Sequence, residues 1–509
     1  MQLLHGVGSS DNLLQVIVGV IAKQSGYAVI ALGVGLVIGA ANNMVVLPRA
    51  FEGKEEIWGL IRIMTSWGAI CAALSTLGAP GAIVRFLNRY TGAEREKALK
   101  SILTIAFSGL TLTLGIIVIF GERWVTQLDP THSELLTAHA PWFLVIMVIM
   151  SALHIFRAML TVALRTGYIS WVDEIWQKLS YASLAVLLLF DVIPLVAFVP
   201  LYVATYGVSL VLLGLPNVSV FRQLSAGWNR QDMPKFMEYS SFSLFAGGAA
   251  IIAMQLDYIM IAKYLGLEEV PIYTLGVFIG SVVGMPGRAT VNIVKGVLAD
   301  KVHNEEDGSI RRLNKTTARV NVLLMTCLMA GIWAGFDPFE QLLPANYRGL
   351  EGVFLCIGLS RIIAGLNTSN NQHLALSEHY RLVLPINLAL VVVTVAMNYL
   401  FLVVFQWGIA GAALATLGTF VWNNLWRLWI VHKKLGVHPF TWSLPVISAV
   451  GIGFALLFHW DAGQLGLHPL LEALIQGALA SGGSFVVCYA LGYLPELRTG
   501  IKQRWPWWP

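Results

Sequence analysis

The sequence predicts an all-α integral membrane protein of about fourteen transmembrane helices: two parallel six-helix bundles followed by two further helices. Three observations predict it. Of 509 residues, 57% are hydrophobic and only 12% charged, and mean hydropathy is +0.70, more apolar surface than a soluble core buries. Apolar stretches of ~20 residues, the length a helix needs to cross a bilayer, recur along the chain. Basic residues crowd into every second connection between them. In lipid the backbone must pair within each segment, so spans of this length are helices rather than barrel strands.

The elements follow in order. Residues 1–25 are expected to form a cytoplasmic leader at the membrane interface, because the apolar run from Leu13 to Ala22 is too short to span and no basic region precedes it. Spans at 26–48 and 57–88 come next, and Arg89, Arg95, Lys97 and Lys100 fill the connection behind them. Spans 99–120, 138–163, 171–190 and 193–218 follow. Glu122, Asp129, Glu134 and Asp191 sit in the intervening loops, and Arg222, Arg230 and Lys235 come after the sixth span. Spans 238–263 and 271–293 flank Glu268 and Glu269 and lead to Lys295, Lys301, Arg311, Arg312 and Lys315. Spans 317–335, 349–368, 381–403 and 408–430 end at Lys433 and Lys434, with Asp337 and Glu340 on the opposite side. Spans 441–460 and 468–494 bracket Asp461 and precede Arg498, Lys502 and Arg504. Trp505, Trp507 and Trp508 suit the cytoplasmic interface.

This alternation places both termini in the cytoplasm, which requires an even number of spans. The net charge of +5 is therefore a signature of topology and does not imply nucleic-acid binding. The four cysteines, Cys71, Cys327, Cys356 and Cys488, lie within spans and far apart, so neither a disulfide framework nor a metal site is expected. The chain contains no GxxxxGK[ST] loop, catalytic triad or zinc spacing. No cofactor and no enzymatic activity are expected.

An internal repeat sets the domain plan. Phe51-Glu52-Gly53-Lys54-Glu55-Glu56-Ile57 matches Tyr264-Leu265-Gly266-Leu267-Glu268-Glu269-Val270, with Gly53 and Gly266 213 residues apart. Six spans separate the copies, so both keep one membrane orientation, an arrangement found in transporters whose substrate path runs between two halves. The expected domains are the leader 1–25, a first bundle over 26–231, a second over 232–435, and two added helices with a cytoplasmic tail over 436–509.

Three stretches carry a family resemblance: Pro48 to Arg62, Leu256 to Gly266, and Gly408 to Thr416 (GIAGAALAT). With the fourteen-span layout, the chain resembles the polysaccharide-export branch of the multidrug/oligosaccharidyl-lipid/polysaccharide exporter superfamily, which includes O-antigen flippases, the lipid II flippase and multidrug antiporters. The resemblance implies a V-shaped, alternating-access carrier in the bacterial cytoplasmic (inner) membrane. It implies a lipid-linked, undecaprenyl-pyrophosphate oligosaccharide as cargo for surface polysaccharide or lipopolysaccharide synthesis. The implied partners are that substrate, membrane lipids, and a glycan polymerase and glycosyltransferases.

Charges inside spans are the candidate site, because an ionisable group at mid-bilayer costs at least ~2.5 kcal/mol and so faces a cavity or a partner. They are Arg62, His154, Arg157, Asp257, Arg288 and Arg361. A mainly cationic set suits an anionic cargo, since guanidinium stays charged and grips phosphate oxygens two at a time. Arg361, mid-span beside Gly358, Gly365 and Thr368, reads as a cavity group or as half of a helix–helix ion pair. Arg62 leads a stripe with Thr65, Ser66, Ala69 and Thr76, and it either lines a cavity or snorkels outward. Ser151, His154, Arg157 and Thr161 form a second stripe, lining or packing. Gly276, Gly280 and Gly284 lead to Arg288 beside Pro286, a ridge that packs closely or a helix that bends. Asp257 either takes a coupling ion or neutralises an arginine. Glu174 and Lys178 read as a surface pair, and Asn42, Asn43, Asn292 and Asn367 as hydrogen-bonding groups.

The family carries cationic cavity residues on its second and eighth spans, which match Arg62 and, more loosely, Arg288. The first-span arginine of the lipid II flippase has no counterpart here, where Asn42 and Asn43 stand in that helix; this argues against lipid II as cargo. The competing reading is an ion-coupled multidrug or cation antiporter of the same fold, expected to show acidic and aromatic cavity groups and twelve spans. A membrane glycosyltransferase is a third, and it would need an external loop domain or interfacial acidic cluster.

Overall fold

In a computed structural model, residues 26–28, 30–128, 133–222, 227–303, 307–460, 464 and 466–493 are described. The expected leader over 1–25 and the basic, tryptophan-rich tail lie outside the described residues, as does the side chain of Asn292. The described residues are helical, without strands. They fall into two compact units, Met1–Glu268 and Glu269–Pro509.

The first unit contains α1 (Gly26–Ala50), α2 (Glu55–Ser75), α3 (Ala79–Phe86), α4 (Gly92–Leu128) and α5 (Ala140–Val162). After a wide turn over Trp171–Trp176 come α6 (Gln177–Leu189) and α7 (Leu195–Gly214). The unit closes with α8 (Met233–Ser243) and α9 (Ala249–Tyr264), joined by a widened turn over Leu244–Gly248. Within it α2 packs on α5 and α9, α3 on α5 and α8, and α5 on α7.

The second unit comprises α10 (Glu269–Val282), α11 (Met285–His303), α12 (Asp307–Ala334), α13 (Glu351–Leu366) and α14 (Thr368–Leu376). It continues with α15 (Val383–Asn398), α16 (Gly408–Leu435), α17 (Ser443–Phe458) and α18 (Pro469–Ala490). The two last helices pack on α12 and on each other.

Among the described residues, ten helices are long and apolar enough to cross a membrane, or eleven when α10 and α11, bent by 58°, form one span. The shorter apolar α17 adds to these. The fourteen-span count is not reached on that basis. The expected spans 171–190 and 408–430 are helical (α6 with its preceding turn, and α16), but each carries polar turns with Asp173, Glu174 and Lys178, or Arg427.

Small residues let these helices meet, as lipid-buried interfaces require. The expected glycine ridge lies against α13: a Cβ at Gly276 would stand 2.6 Å from Val353 Cγ1, and one at Gly280 2.7 Å from Ile357 Cβ. The internal repeat has a structural basis. Gly53 (φ +72°) and Gly266 (φ +111°) both occupy the left-handed region, which glycine enters at little cost. In each copy the glutamate two residues on folds back to its glycine. The Gly53 N–H donates to Glu55 Oε1 at 3.0 Å, and the Glu268 carboxylate oxygens lie 2.7 Å from where a Gly266 Cβ would be.

Candidate functional site

In the first unit, Arg62 lies in the second turn of α2, half-buried. Its guanidinium carbon stands 3.8 Å from the ring centroid of Tyr258 on α9, close enough for a cation–π interaction. Among the described residues, the buried Arg62 Nε has no hydrogen-bond partner. One turn further, Ser66 Oγ donates to Gln255 Oε1 at 3.0 Å. These contacts register α2 against α9, and Asp257, buried at 7% exposure, sits between Gln255 and Tyr258 in the chain. The Arg62 side chain is turned onto a neighbouring helix.

Behind Arg62 stands a tyrosine cluster from α6 and α7. Tyr181 and Tyr202 have ring centroids 4.9 Å apart, Tyr202 and Tyr206 5.4 Å, and the last two share a 3.2 Å hydroxyl hydrogen bond. The Arg62 charge acts on all three, and Arg157 and Asp173 act on Tyr206.

Arg157 on α5 is paired. Its Nε and Nη2 donate to Asp173 Oδ2 and Oδ1 at 3.0 and 2.8 Å. Asp173 comes from the wide turn ahead of α6. His154, one turn before Arg157, is half-buried and feels both charges. His154, Arg157 and Thr161 share one face of α5, and that face lines an open cleft of about 560 Å³ bordered by Arg85 of α3 and Tyr239 of α8. The Arg85 guanidinium carbon lies 4.5 Å from the Tyr239 ring centroid. Ser151, first in this stripe, instead packs inward, with its hydroxyl 2.7 Å from that of Ser75. The Glu174–Lys178 pair is present at 2.6 Å and half-buried, and Lys178 also donates to the Gly35 carbonyl at 3.1 Å.

In the second unit, Arg361 on α13 is half-buried with its guanidinium carbon 5.1 Å from the Phe420 ring centroid on α16. Its aliphatic stem fills the space beside Gly284, where a Cβ would stand 3.3 Å away. Gly358 and Gly365 do not open a polar surface around it: they face Met329 and Met325. Arg288, beyond the bend between α10 and α11, is exposed and reaches back to the Ser281 carbonyl at 3.4 Å. The two arginines are therefore in different surroundings.

A buried amide network surrounds the break between α13 and α14. Asn367 Nδ2 donates to the Asn424 carbonyl at 3.1 Å, Asn370 Nδ2 to Asn367 Oδ1 at 2.9 Å, and Asn314 Nδ2 to Asn370 Oδ1. Asn321 donates to Thr368 Oγ1 at 3.1 Å and accepts from Thr290 at 2.8 Å. Among the described residues, no group of three or more His, Cys, Asp or Glu side chains is placed to hold a metal.

Sequence reading missed Arg85, Asp173, Tyr258 and most of the amide network. Arg85 lies three residues from the end of the expected span 57–88, where a long cationic side chain reaches the interface and gives no site signal. Asp173 lies at the polar start of a span, where an acidic residue is unremarkable. An aromatic residue in an apolar helix gives no signal until the helix across from it is known.

A profile described as "Polysaccharide biosynthesis protein" matches residues 24–285. No curated protein matches by sequence. The fold is similar to that of solved transporters. The lipid II flippase MurJ in an inward closed conformation superposes with a TM-score of 0.69 at 14% identity, covering 91% of this chain and 99% of that one. An inward-facing multidrug resistance MATE family transporter of the MOP superfamily gives 0.59 at 12% identity, covering 80% and 98%. An outward-facing one gives 0.53 at 12%, covering 80% and 95%.

Proposed function

We propose a function from one premise: the chain belongs to the polysaccharide biosynthesis protein family, and it is a multi-pass membrane protein with the fold of transporters. It is a flippase that carries an undecaprenyl-pyrophosphate-linked oligosaccharide across the bacterial cytoplasmic membrane by alternating access, with both termini in the cytoplasm and no enzymatic step. The observation that carries the reading is Arg62. A guanidinium held over an aromatic ring, with a buried N–H that no group among the described residues accepts, is a donor that a cargo phosphate oxygen can satisfy. Arg361, over Phe420 in the second unit, is a further binding residue. Arg157, His154 and Arg288 are further binding residues, and Asp257 is the coupling-ion or neutralising group.

The test is export of surface glycan from cells whose own chromosomal copy is deleted. Wild-type protein restores export; Arg62→Ala and Arg361→Ala, present in the membrane at wild-type levels, do not. Retained export in both variants removes the arginines from the mechanism. Unaltered glycan in the deletion strain, together with new drug sensitivity, supports the multidrug antiporter instead.

A further inference from the structure

The cleft between α3, α5 and α8 is described by the first unit alone. It presents Arg85, His154 and Arg157 with the hydroxyl groups of Thr161 and Tyr239, and no carboxylate lines it. Three features make it more than a chance grouping of donors. Arg157 is held in place: Asp173 takes its Nε and Nη2 at 3.0 and 2.8 Å, which fixes the plane of the guanidinium and leaves Nη1 outside that pair. Arg85 lies against the Tyr239 ring at 4.5 Å, and among the described residues no carboxylate is paired with it. The volume, about 560 Å³, is within the range that takes a small polar headgroup.

From these we infer that the cleft is a phosphate subsite, taking the phosphate or pyrophosphate end of a lipid between Arg85, His154 and Arg157. The inference rests on the flippase reading. Arg85 belongs to the end of the unit that also bears Arg89, Lys97 and Lys100, the end that the positive-inside rule assigns to the cytoplasm. A phosphate delivered from the inner leaflet meets this cleft before it reaches Arg62, seven residues into α2 and at the far end of the α2–α3 pair. The subsite is thus a loading station. Its occupant is recognised by the phosphate itself, and that phosphate comes from the prenyl-linked cargo or from an acidic phospholipid.

The experiment measures binding to the purified full-length protein in detergent, using a short-chain prenyl pyrophosphate, inorganic pyrophosphate and phosphatidylglycerol as probes. It compares wild type, Arg85→Ala, Arg85→Lys and His154→Gln. Arg85→Ala removes a charge-assisted contact, so affinity for both pyrophosphate probes falls about tenfold or more, and Arg85→Lys recovers part of it; His154→Gln removes a neutral ring donor and lowers affinity less. Unchanged phosphatidylglycerol binding identifies the cargo as the phosphate source; an equal fall identifies a membrane lipid. Unchanged affinity for every probe overturns the inference, as does lowered thermal stability with unchanged affinity, which reduces Arg85 to a cation at the end of α3. Flipping of labelled prenyl pyrophosphate in vesicles separates the two readings. Wild type that does not flip defeats the proposed function, whereas wild type that flips with a KM equal to that of Arg85→Ala defeats only the loading site.

Discussion

Arg157 on α5 and Asp173 in the turn before α6 meet through two parallel hydrogen bonds, 3.0 and 2.8 Å long. Each side chain remains about 30% exposed, so solvent screens the pair and discounts its strength. Removing one partner leaves the other charge half-buried and unmatched. Arg157→Ala or Asp173→Ala is expected to cost about 1–2 kcal/mol, less than a fully buried pair would. The double change Arg157→Met with Asp173→Leu is expected to regain most of it. Thermal unfolding in detergent measures this, and a double variant no better than either single one disproves the coupling.

Arg62 is stacked as well as charged, which separates it from a simple cation. Lysine keeps the charge but loses the planar stacking and the fork of donors. Arg62→Lys is therefore expected to export glycan at less than about a tenth of the wild-type rate, close to Arg62→Ala. Tyr258→Phe, which keeps the ring, is expected to export normally. Glycan output normalised to membrane protein is the readout, and full activity in Arg62→Lys rules out the stacked geometry as a requirement.

What the sequence made legible follows from how membranes constrain chains. Span positions, the helical class and the intramembrane charges follow from hydropathy, and Gly53 and Gly266 announced a repeat that turns out to rest on two left-handed glycines. Interactions across helices were not legible. Nothing in the spacing says that Arg62 meets Tyr258, 196 residues away, or that Arg157 is already paired. Gly358 and Gly365, which the sequence places beside Arg361, are close-packing positions against Met329 and Met325. Hydropathy registers how apolar a face is and carries no information on which partner covers it.

The segment that joins the first unit's bundle to α8 is clasped by Asp232. This carboxylate accepts from Tyr90 Oη at 2.8 Å, Lys235 Nζ at 2.8 Å and Asn229 Nδ2 at 3.1 Å. The Lys235 contact first, then the Tyr90 hydroxyl, holds the Asp232 carboxyl below its ordinary value of 3.8. Burial first, then Asp232, pushes the Tyr90 phenol up to about 12. A depressed acid contributes above its unfolded pKa and loses that contribution as pH falls through the folded one. A raised phenol contributes below its unfolded pKa of 10.0 and loses that contribution on the way to about 12. The clasp thus contributes in full from about pH 5 to about pH 9, and its contribution declines on the acid side as Asp232 is protonated and on the alkaline side on the way to about 12. Exchange protection of the Asn229 and Asp232 amides, which donate to Ser101 Oγ and Asn229 Oδ1, is expected to form a plateau over that window. In Tyr90→Phe the alkaline loss disappears. Protection that falls steadily across pH 5 to 9, with no plateau, contradicts the clasp.

Two glycines with nearly the same backbone conformation separate strain from crowding. Gly53 has φ +72° and Gly78 φ +74°, so an alanine at either site meets the left-handed penalty of about 1–2 kcal/mol. Their surroundings differ. At Gly53 nothing lies within 4 Å of an added Cβ, whereas at Gly78 that atom would stand 2.0 Å from the Ser240 carbonyl oxygen and 2.6 Å from the Leu244 nitrogen. Both obstacles are backbone, at the junction where α8 enters its widened turn, and backbone cannot rotate away as a flexible side chain can. Gly53→Ala is therefore expected to cost only the conformational term, and Gly53→Asn less still, because asparagine tolerates the left-handed region. Gly78→Ala adds overpacking, a further ~1–3 kcal/mol or more, and forces α3 away from α8, which also widens the cleft containing Arg85 and Tyr239. Thermal stability is expected to fall at both positions and further in Gly78→Ala, with weaker pyrophosphate binding in Gly78→Ala alone. Equal losses at the two positions attribute the whole effect to φ and leave the contact between α3 and Ser240 without energetic weight.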